Sequence, residues 1–227
     1  MNKLQNLVLI TLIFSSSLIF GQTNKFEVGL EMGPSLISLR GNDILENHKD
    51  LSFGFSSGLT FQYNFPKFLS IRTNISFERK GLTTKGMATD EYGNEIGEIT
   101  FHSNFNYLTV PLLGRLTIGK KIKFFVNAGP YVGYLIKQKD VTEAFGDNPK
   151  TETDNTDNFE KLDFGITTGL GASFPIYNRL LISLEIRNNL GLTNISSVPV
   201  VNDGVIKTNS TNFLIGVAYK FGTGVNE

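Results

Sequence analysis

Between Phe53 and Phe65 the chain places Phe53, Phe55, Leu59, Phe61 and Tyr63 on one parity and Gly54, Ser56, Gly58, Thr60 and Gln62 on the other. A period of two marks a strand with one apolar face. The wet face of a soluble sheet is usually rich in Lys, Glu and Thr, because glycine there costs backbone entropy and packs nothing. Here the polar parity is glycine-heavy: Gly29, Gly33, Gly54, Gly58, Gly129, Gly133, Gly165, Gly169 and Gly171 all fall opposite the apolar residues. A narrow closed barrel needs this where inward side chains crowd and strands bend. The pattern predicts a small β-barrel, apolar outside and polar inside.

The start of the chain supplies a route to a membrane. Lys3 precedes an apolar run from Leu7 to Phe20 of about 14 residues, followed by Gly21 and Gln22, the make-up of a secretory signal peptide. That run is too short and too serine-broken to span a bilayer comfortably. Cleavage is expected near Gly21, giving residues 1–21 as signal peptide and 22–227 as the barrel domain. A mature chain of roughly 205 residues fits one domain. With no cysteine in these residues, neither a lipoprotein's lipid anchor nor a disulfide is expected, and no later segment approaches the roughly 18 continuous apolar residues of a membrane helix. Membrane residence is therefore expected as a barrel, since only helices and closed barrels satisfy their backbone groups in lipid. The balance of 21 basic and 21 acidic residues gives no basic field for nucleic acid.

Strands are expected at about residues 26–38, 51–65, 68–82, 105–118, 122–139, 162–174, 179–192 and 211–221, eight in all. The connections alternate long and short: 39–50, then 66–67, 83–104, 119–121, 140–161, 175–178 and 193–210. An even strand number with short periplasmic turns and long outer loops is the habit of bacterial outer-membrane barrels. The expected fold is all-β, an eight-stranded antiparallel up-and-down transmembrane barrel of the cell outer membrane.

Outward residues can be followed along Phe26, Val28, Leu30 and Met32; Leu69, Ile71, Ile75 and Phe77; Phe124, Val126, Val132 and Tyr134; and the corresponding runs from Phe164 and Ile182. Trp is absent, so interfacial girdles must use Phe and Tyr. Phe65, Phe68, Phe124, Tyr177 and Phe221 fall near the short turns, and Phe77, Tyr107, Tyr134 and Phe213 near the long loops. In the fourth strand Leu108, Val110, Leu112, Leu116 and Ile118 face out if Arg115 faces in. Pro111 lacks a ladder donor, so an irregularity is expected there.

The inward parity carries Glu27, Glu31, Arg72, Glu78, Arg115, Lys123, Lys137, Asp163, Glu185 and Arg187. An eight-stranded interior just holds its own side chains, and buried charges there must pair and hydrogen-bond. The expectation is an ion-paired plug that holds the barrel shut; the other reading is a water-filled pore.

"FGFSSGL" from Phe53 echoes "FGITTGL" from Phe164, and "MGPSL" from Met32 echoes "AGPYV" from Ala128, as a duplicated four-stranded half would. The strings "NYLTVPLL" from Asn106, "NAGPYVGYLI" from Asn127, "DFGITTGLGASF" from Asp163 and "SLEIRNNLGLTNI" from Ser183 resemble the outer-membrane β-barrel, PorT-like family of Bacteroidota over essentially the whole mature chain. The ending Phe213, Ile215, Val217, Tyr219 and Phe221 looks like the terminal-strand signal read by the barrel-assembly machinery, with Gly222 to Glu227 trailing beyond it. The resemblance implies fold and location. The family's namesake is linked to a protein-secretion apparatus, which makes an accessory role in secretion one expectation.

Residues for chemistry are scarce. The two histidines, His48 and His102, fall in expected outer loops. A lipid hydrolase would need His, Ser and a carboxylate in mutual reach, for which His102, Ser103 and Glu98 are the nearest set. Adjacent loop residues rarely form that geometry, so no catalysis is expected. The acidic stretch 147–160, with Glu152, Asp154, Asp157 and Glu160, lacks the glycine and spacing of a calcium loop and reads as a flexible hydrophilic loop; divalent bridging to lipopolysaccharide is the other reading. Asn74, Asn194 and Asn209 begin glycosylation-like triplets that read as chance in a bacterial barrel. No cofactor or metal site is expected. The expected partners are outer-membrane lipid and lipopolysaccharide, the barrel-assembly machinery during biogenesis, and secretion or surface-complex proteins. Two roles remain: a non-enzymatic structural or interaction barrel of the envelope, or a secreted lipocalin-like barrel whose apolar parity lines a pocket for a small ligand.

Overall fold

The computed structural model describes residues 25–42, 45, 52–89, 91–146, 148–177 and 179–221. The expected signal peptide, His48, Asp147 and the overhang from Gly222 to Glu227 lie outside these residues. Nine strands follow in order: β1 (Phe26–Arg40), β2 (Ser52–Asn64), β3 (Leu69–Thr89), β4 (Glu95–Ile118), β5 (Lys123–Thr142), β6 (Thr151–Asp154), β7 (Leu162–Tyr177), β8 (Leu180–Gly191) and β9 (Lys207–Phe221). Each ring strand pairs antiparallel with its neighbours in sequence, and β9 returns to β1 with Phe26 opposite Phe221. This closes an eight-stranded ring, while β6 adds only to the outer end of β5. Closure leaves no open sheet edge around the ring.

Alternation fixes which side of the wall each residue occupies. In β1 Phe26, Leu30 and Met32 are exposed and Glu27, Gly29, Glu31, Gly33 and Ser35 buried. Phe53 is 66% and Leu170 60% exposed, as are large apolar residues all round the ring. A patch this extensive on a soluble monomer would drive association; against lipid it is the favourable face. The lipocalin reading is thereby overturned, because the apolar parity covers the outside and the inside is polar. Among the described residues no helix is long and apolar enough to cross a membrane.

At the short-turn end Phe26, Tyr63 and Phe65 form an edge-to-face chain with centroids 5.0 Å apart, and Tyr219 stacks on Phe221 in the same way. This is one aromatic girdle. Phe77, Tyr134 and Phe213 stand exposed toward the other end, but Tyr107, expected beside them, is 0% exposed and points into the barrel. Its neighbour Leu108 takes the outward position. From Phe124 to Tyr134, or Leu69 to Phe77, the outward run matches the roughly 9–11 residues that a tilted strand needs to cross the hydrocarbon.

The turn after β4 bends at Gly119, whose φ of +108° suits glycine; a Cβ there would stand 2.2 Å from the Ile122 carbonyl oxygen. Around Pro111 the ladder lacks pairs but keeps its register, and the Thr73 hydroxyl donates to the Pro111 carbonyl at 2.6 Å. The register shift in β4 and β5 lies instead at Asn106/Tyr107, where Ile136 is the extra residue.

Two expected outer loops are sheet. Residues 83–104 are mostly the continuation of β3 and β4, paired up to Thr89 and Glu95, and 140–161 contains β6. Beyond Phe77 and Leu108 these arms run on for ten or more residues, on the order of 30 Å of ribbon at ~3.3 Å per residue. Together β3, β4, β5 and β6 form a sheet that projects past the lipid-facing band.

Candidate functional site

The lumen is the most organised polar site of the barrel. Inward parity on β1, β3, β4, β5 and β8 brings Glu31, Arg72, Arg115, Asn127, Glu185 and Arg187 to one level. Glu31 accepts from Arg187 at 2.6 and 3.0 Å and from Arg72 at 2.7 Å. The Arg187 Nε donates to Glu185 at 2.7 Å. Arg115 reaches Glu185 at 3.2 Å and Asn127 at 2.7 Å, and Asn127 returns to Glu185 at 2.8 Å. Gly169 faces Arg187 across the ladder, and a Cβ there would stand 2.9 Å from a Glu185 oxygen, so the glycine makes room for the pair.

One level further from the short turns, Glu78 accepts from Ser210 at 2.6 Å, Asn189 at 2.9 Å, Asn212 at 3.0 Å and Thr109 at 2.9 Å. Lys80 is 0% exposed and donates to Asp163 at 2.9 Å and to Tyr131 at 3.2 Å. Its ammonium lies 4.4 Å from the Tyr131 ring centroid, a cation–π contact that supplements the ion pair. Lys80 is absent from the sequence-derived set, although it shares the parity of Arg72 and Glu78. Arg40, another residue outside that set, donates to the Gly191 carbonyl, and Ser35 to Asn212.

Of the ten expected lumen charges, Glu27, Glu31, Arg72, Glu78, Arg115, Asp163, Glu185 and Arg187 are buried inside the ring. Lys123 lines the cavity at the short-turn mouth. Lys137 is a correction: its side chain is 44% exposed and pairs with Asp154 at 3.0 Å outside the barrel. The bulge at Ile136 is the cause. Leu135 still faces in, but beyond the extra residue the inward position passes to Gln138, which is 0% exposed.

Above Lys80 the outer mouth is closed by an apolar cluster of Leu39, Phe105, Tyr107, Leu135 and Ile195, with Leu45, Leu82, Phe159 and Ile206 packed against it. Phe105 meets Phe159 edge-to-face at 4.7 Å. Ile195 and Phe159 come from two of the four long outer segments, 193–210 and 140–161, held together where Glu160 N donates to the Ile195 carbonyl at 2.8 Å. Periodicity could not reveal the whole of this cap, because four of its nine residues, Leu45, Phe159, Ile195 and Ile206, lie outside regular strands.

The projecting sheet carries a second cluster. Arg79, Asn106 and Lys137 stand in register on its outward face, one step beyond Phe77, Leu108 and Tyr134. A groove there is also lined by His102, Lys139 and Lys150. The candidate triad is not assembled. His102 contacts Thr83 at 3.0 Å and Glu143 at 3.6 Å on the outward face, whereas Ser103 donates to Asp140 at 2.7 Å and Glu98 pairs with Lys85 at 2.6 Å. Neighbours on one strand point to opposite faces. His102 itself is in β4 rather than a loop.

The acidic stretch is an ordered strand and turn. Glu152 pairs with Lys139 at 2.7 Å and Asp154 with Lys137 at 3.0 Å, while Glu160 accepts from Ser197 at 3.0 Å. The Lys139 hydrogen bond holds the Glu152 carboxyl below the usual range, and the Thr156 hydroxyl does the same for Asp154. Among the described residues no three His, Asp or Glu side chains gather as metal ligands. Phe213, Ile215, Val217, Tyr219 and Phe221 all point outward from β9, exposed on the lipid-facing side.

Neisserial surface protein A is similar in fold with a TM-score of 0.50 at 12% identity, covering 86% of this chain and 97% of that one. OprG of Pseudomonas aeruginosa gives 0.46 at 11% identity, covering 89% and 99%. Ail, the attachment invasion locus protein of Yersinia pestis, gives 0.41 at 15% identity, covering 87% and 99%. A search of curated protein sequences finds no match. The family model for the outer membrane protein beta-barrel domain matches residues 20–197. With that match over most of its length, and a closed ring that is apolar outside, the chain belongs to the outer membrane protein beta-barrel domain family and is a protein of the outer membrane.

Proposed function

We propose that this is a non-enzymatic outer-membrane barrel with a structural or interaction role in the cell envelope, which presents its projecting sheet to a partner while the lumen stays sealed. The observation that carries the reading is the double closure: a buried ion-pair network, capped at the outer mouth by Leu39, Phe105, Tyr107, Leu135 and Ile195. Such a lumen offers no water-filled path from one side of the membrane to the other, so the interaction role falls to the surfaces at its ends. The sheet's far end exposes Met87, Tyr92 and Ile96, apolar residues that stand well beyond the lipid band.

Lipopolysaccharide is the proposed lipid partner. The row Arg79, Asn106 and Lys137 sits at the height of lipid headgroups, directly beyond an apolar row, where cations and amides contact phosphate. The outward aromatic and branched residues of β9 support recognition by the barrel-assembly machinery. The PorT-like kinship within Bacteroidota, and an accessory role in secretion, rest on the strings from Asn106, Asn127, Asp163 and Ser183.

A photo-crosslinking residue at Tyr92 in intact cells, with mass spectrometry of the adducts, tests the interaction role. A defined set of secretion or surface-complex proteins is the expected result. If neither Tyr92 nor Lys137 yields any protein or lipopolysaccharide adduct, the interaction role fails.

A further inference from the structure

The short-turn mouth opens on a cavity of about 300 Å3 whose lining carries Lys67, Arg72, Arg115, Lys123 and Lys220 but one carboxylate, Glu27. The excess persists when the network beneath is included. On the inward side of this half, Arg72, Arg115, Arg187, Lys123 and Lys220 face Glu27, Glu31 and Glu185, five cations against three anions. Glu27 does not balance them: it lies 3.9 Å from Lys220 and already accepts from Asn64 at 3.0 Å.

The floor of the cavity carries an independent sign of an unmet anion. Arg72 is 5% exposed, gives one nitrogen to Glu31, and keeps its Nε buried with no hydrogen-bond partner among the described residues. A buried guanidinium donor without an acceptor is costly, and the planar fork of arginine fits the oxygens of phosphate or carboxylate. Arg115, beside it, is fixed with its guanidinium 3.7 Å over the Phe125 ring, so its position is set before any ligand arrives.

We infer that this vestibule binds a small oxyanion, a phosphate or a carboxylate group, entering from the periplasmic side. Arg72 and Arg115 form the floor of the site, and Lys123 and Lys220 hold the ligand from the wall. The charge that makes the mouth attractive to anions is fixed by strand register, with Lys220 opposite Glu27 and Lys123 opposite Ser173.

The test uses full-length protein in neutral detergent at low salt, titrated calorimetrically with pyrophosphate and separately with citrate. At least one anion should bind at millimolar concentration or tighter. A Lys123→Gln/Lys220→Gln double variant that keeps its unboiled gel mobility should lose roughly tenfold or more in affinity. Lys85→Gln, on the outer sheet where it pairs with Glu98, should bind as the parent does. No binding of either anion to the parent, an unchanged affinity in the vestibule variant, or loss in the outer-sheet variant instead overturns the proposal. If the vestibule double variant does not fold, Lys220→Gln alone decides on the same criterion.

Discussion

Arg187→Ala tests whether the lumen charges hold the barrel together. The guanidinium makes two bonds to Glu31, at 2.6 and 3.0 Å, and one to Glu185 at 2.7 Å, all inside the wall. Removing one partner of a buried pair typically costs about 3–5 kcal/mol, because the remaining charge keeps its desolvation penalty. Here both carboxylates retain a second cation, Arg72 for Glu31 and Arg115 for Glu185. The cost should therefore lie near the lower bound, about 3 kcal/mol, or a urea midpoint lower by roughly 1 M at a slope of about 2–3 kcal/mol per molar. The chain has no tryptophan, so unfolding from lipid vesicles is followed by circular dichroism and by the mobility difference between unboiled and boiled samples. Adding Glu31→Gln to Arg187→Ala should recover none of the loss, because Glu31 still pairs with Arg72 at 2.7 Å and neutralising it leaves that buried guanidinium without its carboxylate. A midpoint unchanged from the parent would refute the claim that these pairs are structural.

Further outcomes follow from the same wall and its arms. Gly165→Ala would place a Cβ 2.4 Å from the Tyr131 ring and 2.2 Å from the Leu190 carbonyl oxygen, and overpacking of that kind should destabilise the barrel by about 1–3 kcal/mol in the same unfolding assay. Lys80→Met leaves Asp163 without its ammonium and should cost about 3–5 kcal/mol, with Asp163→Asn in the same chain restoring part of it. For β6 the sign runs toward acid instability: Glu152 and Asp154 are held below their ordinary values of 4.5 and 3.8. Their contribution is complete above those values and disappears as pH falls through the lower folded-state values. Protection of the β6 amides, after correction for the intrinsic fall in exchange rate with pH, should therefore drop at low pH while protection in the β1–β9 ladder does not; an equal drop in both would contradict the assignment.

The strands were legible because lipid on one side and a crowded lumen on the other impose a strict period of two. That pressure ends at the membrane surface. Residues 83–104 meet water on at least one face without an apolar stripe, so a paired ribbon read as loop. Lys137 was misplaced for a local reason: one extra residue at Ile136 exchanges the two faces, and a bulge in mid-strand leaves no turn residue to announce it. Tyr107 illustrates a conflict between two rules. Its parity, opposite Leu108, placed it inside, whereas its aromatic ring near a long loop suggested a girdle; parity prevailed because register is set by the whole strand. The buried carboxylates and arginines could be found from parity alone, but the partner each one takes could not, since Glu31 and Arg187 are brought together only by ring closure. The apolar cap draws Ile195 and Phe159 from irregular segments, where no period exists to read.

The proposed sealed lumen is closed twice, by ion pairs and by an apolar cap. Single-channel recording of the purified protein in a planar bilayer puts that closure to the test. A sealed barrel predicts a flat current after insertion has been verified by mobility of the recovered protein. Discrete, reproducible conductance steps from the parent chain would mean that the lumen is open.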